Sequence, residues 1–188
     1  MLRITERSRR LSPCRPATNR PNRIHASGRS CWGHRHGYGP AMRADRFDAL
    51  PPAAAARWAK FGTWDRTYFP KLVGLQIEEL RADYCRMRLP YRPELEQPAG
   101  LVHGGAIATL VDTVVVPAVG AAYDPTWRYS TLTMDIQYLG PVAREDAIAE
   151  GWVTQRGSSI VFCRAEVVTA SGRTAATGSL TYKVSPPR

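Results

Sequence analysis

"LVHGGAIATLVDTVVVPAVGAAY", residues Leu101 to Tyr123, decides the fold of this chain. Read as a helix, it is apolar almost all round. Solvent does not tolerate such a helix, so other elements must cover it. The stretch is about long enough to span a bilayer. Asp112 and Pro117 interrupt it, however, and His103 bounds it, which favours a buried helix over a membrane span. It opens on Gly104 and Gly105 and carries a single acid. Glycine is a poor helix former, and an aspartate resists burial without partners. Both choices need a reason.

The flanking sequence supplies the cover. "STLTMDIQYLGPV" (130–142) alternates Leu132, Met134, Ile136 and Tyr138 against Thr131, Thr133, Asp135 and Gln137, which predicts a strand with one buried face. "DAIAEGWVTQRG" (146–157), "SSIVFCRAEVVTASG" (158–172) and "RTAATGSLTYKVS" (173–185) predict three more, with turns at "RGS" and "SGR". Consecutive strands joined by tight turns are antiparallel. Before the helix, Leu75–Tyr91 reads as a strand or a bent hairpin, and "RPELEQPAG" (92–100) as a loop. "DRFDALPPAAAARWAKFG" (45–62) predicts a short helix that starts near Pro51 and Pro52 and ends at Gly62. "TWDRTYFPKLVG" (63–74) follows as a loop with aromatic anchors. The fold class expected is α+β, an antiparallel sheet around one long helix.

The net charge of +10 suggests nucleic acid until it is located. Residues 1–44 hold ten Arg and one acid, Glu6, whereas residues 45–188 are close to neutral. A nucleic-acid-binding domain needs a basic folded face, which this distribution does not demand. Residues 1–44 are rich in Arg, Pro, Ser and Gly without apolar period, so a disordered basic extension is expected there, with one domain over residues 45–188. The start lacks the apolar core of a secretory signal. Its Arg-rich, acid-poor character fits a transit peptide, an extension or a start codon placed too far upstream. Cys14, Cys31, Cys85 and Cys163 have no disulfide-framework spacing and read as reduced thiols of a cytoplasmic protein. Cys31, His34 and His36 lie close together but lack paired zinc spacing, so no metal is expected.

Three residues of the helix invite chemistry. A helix N-terminus presents unpaired N–H groups and a partial positive charge, and glycine lets another molecule approach them. Gly104 can therefore polarise a carbonyl oxygen; alternatively, the pair only makes a tight entry turn. Asp112 stands nine positions past His103, about 2.5 turns along. It is either a general base or a structural acid bonded to Thr109 or Thr113. His103, at the helix cap, is read as a structural residue that bonds the loop backbone.

Taken together, "QPAGLVHGGAIATLVD" resembles the hotdog-fold thioesterases, in particular the PaaI-like and 4-hydroxybenzoyl-CoA thioesterase groups. The resemblance runs from about Phe69 to Val184 and includes "FPKLVG", "STLTMDIQYLGP" and "TQRGSSIVFCRAEV". It implies a bent antiparallel sheet wrapped around one long helix. It also implies hydrolysis of acyl-CoA thioesters, with Asp112 as base or nucleophile and the Gly104 N–H on the thioester carbonyl. Gln97 then orients carboxylate, water or substrate, Thr131 helps hold the water, and His103 supports the loop. The acid and the glycine face each other across a homodimer, assembling further into a homotetramer. No cofactor is needed, because coenzyme A is part of the substrate. Its phosphates call for polar residues at the surface, and Arg156, Ser158 and Ser159 are the candidates. Pro117 departs from the pattern and should kink the helix beyond Asp112. The competing expectation is a hotdog protein that binds acyl-CoA or an aromatic ligand without turnover. The hydratase branch of the same fold needs a paired His and carboxylate that His103 does not reproduce.

Overall fold

The structure, a computed structural model, describes residues 41–187. Residues 1–40, with Cys14, Cys31, His34 and His36, lie outside the described residues. Three short helices come first: α1 (Ala41–Ala44), α2 (Pro52–Trp58) and α3 (Phe69–Val73). Strands β1 (Gln76–Arg81) and β2 (Tyr84–Leu89) form a hairpin that turns at Asp83, φ 62°. Helix α4 (Gly104–Gly120) follows, then β3 (Arg128–Tyr138), β4 (Ala147–Arg156), β5 (Ile160–Thr169) and β6 (Thr174–Ser185). The six strands make one antiparallel sheet in the order β1-β2-β4-β5-β6-β3. This is the α+β, hotdog arrangement that the resemblance implies.

Two expectations about the strands need correction. β3 does not pair with β4, although they are consecutive; it lies beyond β6 at the far edge. The connection 139–146 is too long for a tight turn. It passes the entrance of α4, where the Val102 N–H donates to Val142 O at 2.8 Å. The second correction concerns the alternation of β3. Its register against β6 shifts between Thr131 and Thr133, so Leu132 is an extra, bulged residue. Thr131 pairs with Tyr182, and beyond the bulge Met134 pairs with Leu180. Leu180 and Tyr182 are both buried on the inner face, so the bulge brings Thr131 onto the same face as Met134, Ile136 and Tyr138.

Helix α4 lies against the inner face and buries Ile107, Leu110, Val111, Val114, Val115, Ala118 and Val119. It runs through the buried Pro117 to Gly120. Two sheet glycines set how close it comes. A Cβ on Gly178 would stand 2.6 Å from Val111 Cγ1, and one on Gly151 2.8 Å from both Val114 and Val115. Valine is stiff at χ1 and cannot swing away. Gly178→Ala is expected to cost about 1–3 kcal/mol and to lower the melting temperature by several degrees, measurable by calorimetry.

The expected disorder does not extend to residue 44. α1 docks on the outer face of the sheet, where Ala44 is 1 % exposed. The Arg43 guanidinium reaches Glu150 at 2.8 Å and Glu166 at 2.7 Å, and lies 4.2 Å from the Trp152 ring centre. Phe47 stacks on the fully buried Tyr84, whose hydroxyl donates to Glu150. Paired charge and cation–π contact are worth about 1–2 kcal/mol together. A chain starting at Asp45 is therefore expected to melt roughly 2–8 °C below one starting at Ala41.

Cys85 and Cys163 are free and buried, and burial pushes both thiols up, Cys163 to about 12. At the opposite extreme, edge strand β3 and its exit leave Leu132, Met134, Tyr138 and Leu139 between 40 % and 58 % exposed. The apolar face expected to be buried is thus bare in one chain, along an edge whose backbone is unpaired.

Candidate active site

Two polar clusters lie on α4, one at its entrance and one in its middle. At the entrance, His103 is the N-cap, with extended φ −60° and ψ 137°. Its Nδ1 accepts from the Gly105 N–H at 2.8 Å, and its own N–H donates to Leu95 O at 2.7 Å. Ala106 and Ile107 N–H both donate to His103 O. Of the four donors that a helix start leaves over, only the Gly104 N–H has no acceptor among the described residues. The side chain of Tyr138 lies over this glycine, and its hydroxyl donates to Gly104 O at 3.0 Å.

In the middle, Asp112 is half-buried and holds neither Thr109 nor Thr113. The Thr109 hydroxyl goes to Gly105 O instead. Asp112 Oδ1 accepts from Thr131 Oγ1 at 2.9 Å and from Tyr182 Oη at 3.0 Å, and Tyr182 Oη also lies 2.9 Å from the Asp112 carbonyl oxygen. Burial pushes the Tyr182 hydroxyl far above the ordinary tyrosine range; Thr131 opposes this in part and the Asp112 charge reinforces it. Tyr182 therefore stays a donor. With Oδ1 held by two hydroxyls, Oδ2 has no partner among the described residues. One carboxylate oxygen is fixed and the other is open, an arrangement suited to abstracting a proton or attacking a carbonyl.

The two clusters cannot act on one bond within a chain. Gly104 and Asp112 are eight residues apart on one helix, roughly 12 Å along its axis.

Gln97 sits in the loop before the helix. Its backbone closes a turn, its N–H donating to Leu101 O at 2.8 Å and its O accepting from Gly100 at 2.9 Å. Its side-chain amide has no hydrogen bond among the described residues. Arg156 was expected at the surface, facing phosphate; the structure commits it elsewhere. Its guanidinium pairs with Asp83, donates to Val119 O at 3.4 Å and lies 5.0 Å from the Tyr123 ring centre. It ties the β1–β2 turn to the end of α4. Ser158 is exposed and Ser159 half-buried in the turn between β4 and β5. Among the described residues no cluster of His, Cys, Asp or Glu could hold a metal ion, and no helix is long and apolar enough to cross a membrane.

Sequence reasoning passed over Tyr182 and Tyr138. Tyr182 was within reach: Leu180, Tyr182 and Val184 alternate inward, and a buried tyrosine hydroxyl needs a partner. Nothing in the sequence pairs it with Asp112.

Comparison with known proteins bears on the family and the fold. The profile of the thioesterase superfamily matches residues 99–176. A candidate esterase of Halobacterium salinarum is 34% identical over 102 residues, which are 52% of this chain and 67% of that one. Among solved structures, a conserved protein of Pseudomonas aeruginosa superposes with TM-score 0.60 at 26% identity, over 64% of this chain and 95% of that one. The PaaI protein from the phenylacetic acid degradation operon of Escherichia coli superposes with TM-score 0.61 at 17% identity, over 70% and 93%. At that identity the likeness is one of fold.

Proposed function

Because this chain belongs to the thioesterase superfamily, we propose that it hydrolyses acyl-CoA thioesters to the free acid and coenzyme A, at sites shared between two copies of the chain. The observation that carries this reading is the pair of unspent groups on α4: the open Oδ2 of Asp112 and the unclaimed N–H of Gly104. Thioester hydrolysis passes through a tetrahedral oxyanion. The Gly104 N–H, at the positive end of α4, stabilises that charge. Asp112 removes a proton from water, or attacks to give a mixed anhydride. Tyr182 and Thr131 hold the carboxylate in place, and Gln97, with its free amide, orients substrate or water.

The sharing follows from the roughly 12 Å between the two groups. A second chain laid antiparallel along β3 covers Leu132, Met134 and Tyr138 and pairs the open edge. It also carries its own Gly104 toward the first chain's Asp112. Ser158 and Ser159 remain the surface contacts for the coenzyme A phosphates.

The test is a panel of aliphatic and aromatic acyl-CoAs assayed by release of free thiol. Turnover of at least one supports the reading. Binding of acyl-CoA without release of thiol from any of them would sink it in favour of a ligand-binding role.

A further inference from the structure

We infer that Tyr138 is a positioning residue for the oxyanion donor, an inference that rests on the thioesterase reading. The peptide joining Gly104 to Gly105 is held at both ends. Its N–H donates to His103 Nδ1 at 2.8 Å, and its carbonyl accepts from Tyr138 Oη at 3.0 Å. A peptide group is a rigid plane, so fixing both ends fixes its orientation. That in turn restrains the backbone of Gly104, the residue type with the widest conformational freedom. The N–H that remains free, that of Gly104, is thereby aimed rather than left to wander. The Tyr138 ring completes the arrangement: a Cβ on Gly104 would meet it at 3.5 Å, so the ring walls one side of the spot a thioester carbonyl must enter.

Tyr138 has no comparable duty in the core. It is the last residue of β3 and is 56 % exposed. It faces inward by plain alternation with Met134 and Ile136, opposite Ala176 of β6, and the bulge at Leu132 brings Thr131 to that same face, toward Asp112. One irregularity in one strand therefore puts the two halves of the chemistry on one face. Thr131 restrains the carboxylate of its own chain, and Tyr138 restrains the carbonyl-binding donor.

The experiment compares wild type with Tyr138→Phe, which keeps the ring and removes the hydroxyl. Steady-state kinetics use the acyl-CoA that wild type hydrolyses fastest. The infrared carbonyl stretch is recorded for a bound ketone analogue in which a methylene replaces the thioester sulfur. The expected result is a fall in kcat of roughly three- to tenfold, the size of one neutral hydrogen bond, with KM within about twofold. The carbonyl stretch should move toward its value in water, and the melting temperature should hold. An unchanged kcat beside an active wild type overturns the inference and leaves the thioesterase reading standing. So does a lower kcat with an unaltered carbonyl stretch, which would make the role merely structural. A wild type that hydrolyses no acyl-CoA overturns both.

Discussion

Replacing Asp112 by Asn is expected to lower kcat on an acyl-CoA by about 10²–10⁴, the usual contribution of a positioned base. Asn keeps the shape of the side chain, and its carbonyl oxygen can still accept from Thr131 Oγ1 and Tyr182 Oη. The amide is no harder to bury than the carboxylate, so the melting temperature should hold. What disappears is the charge on the open oxygen. Steady-state kinetics beside a thermal melt separate the two effects. Full activity in a folded Asp112→Asn chain would reduce Asp112 to a structural residue.

Gly104→Pro should cost nearly as much by a different route, about 10²–10³ in kcat, because it deletes the oxyanion donor. Few positions in a helix accept proline, but the first helical residue does. His103, which precedes it, already has the extended backbone that a residue before proline prefers. Tyr138 leaves room for a Cβ at ordinary contact distance. The two variants together test whether the site is shared. Each alone is inactive. In a mixed dimer, the Asp112 of the proline chain meets the Gly104 of the asparagine chain, and one complete site is restored. Unfolding and refolding an equal mixture should return about a quarter of wild-type activity, since half of randomly paired twofold dimers are mixed and each has one of two sites intact. A mixture that stays inactive would rule out the shared arrangement.

Much of this was legible in residue order. The apolar run Leu101–Tyr123 predicted the central helix because an all-round apolar helix has only one environment open to it, and the strand patterns after it were read as strands for the same reason of periodicity. Gly104 and Asp112 stood out because each is costly in a helix and neither cost is repaid locally. His103 was read as a cap, and its Nδ1 does cap the Gly105 N–H.

What sequence could not decide was everything that depends on which strands meet. Local pattern fixes the face of a strand only while alternation is unbroken. The bulge at Leu132 breaks it, and a bulge is decided by pairing with β6, a partner some fifty residues on, rather than by any residue beside it. Hence Thr131 was placed on the wrong face of its strand, and Tyr182 was not named at all. The contacts of Arg156 were out of reach for the same reason: Asp83 lies on the β1–β2 turn, and Val119 and Tyr123 at the end of α4, two segments distant in the chain. The sequence by itself determined the helix, its exposed donor and its acid. Only the tertiary structure decided which hydroxyls hold that acid, because hydrogen bonds between strands reward register and closure of the sheet, quantities that no single stretch of chain contains.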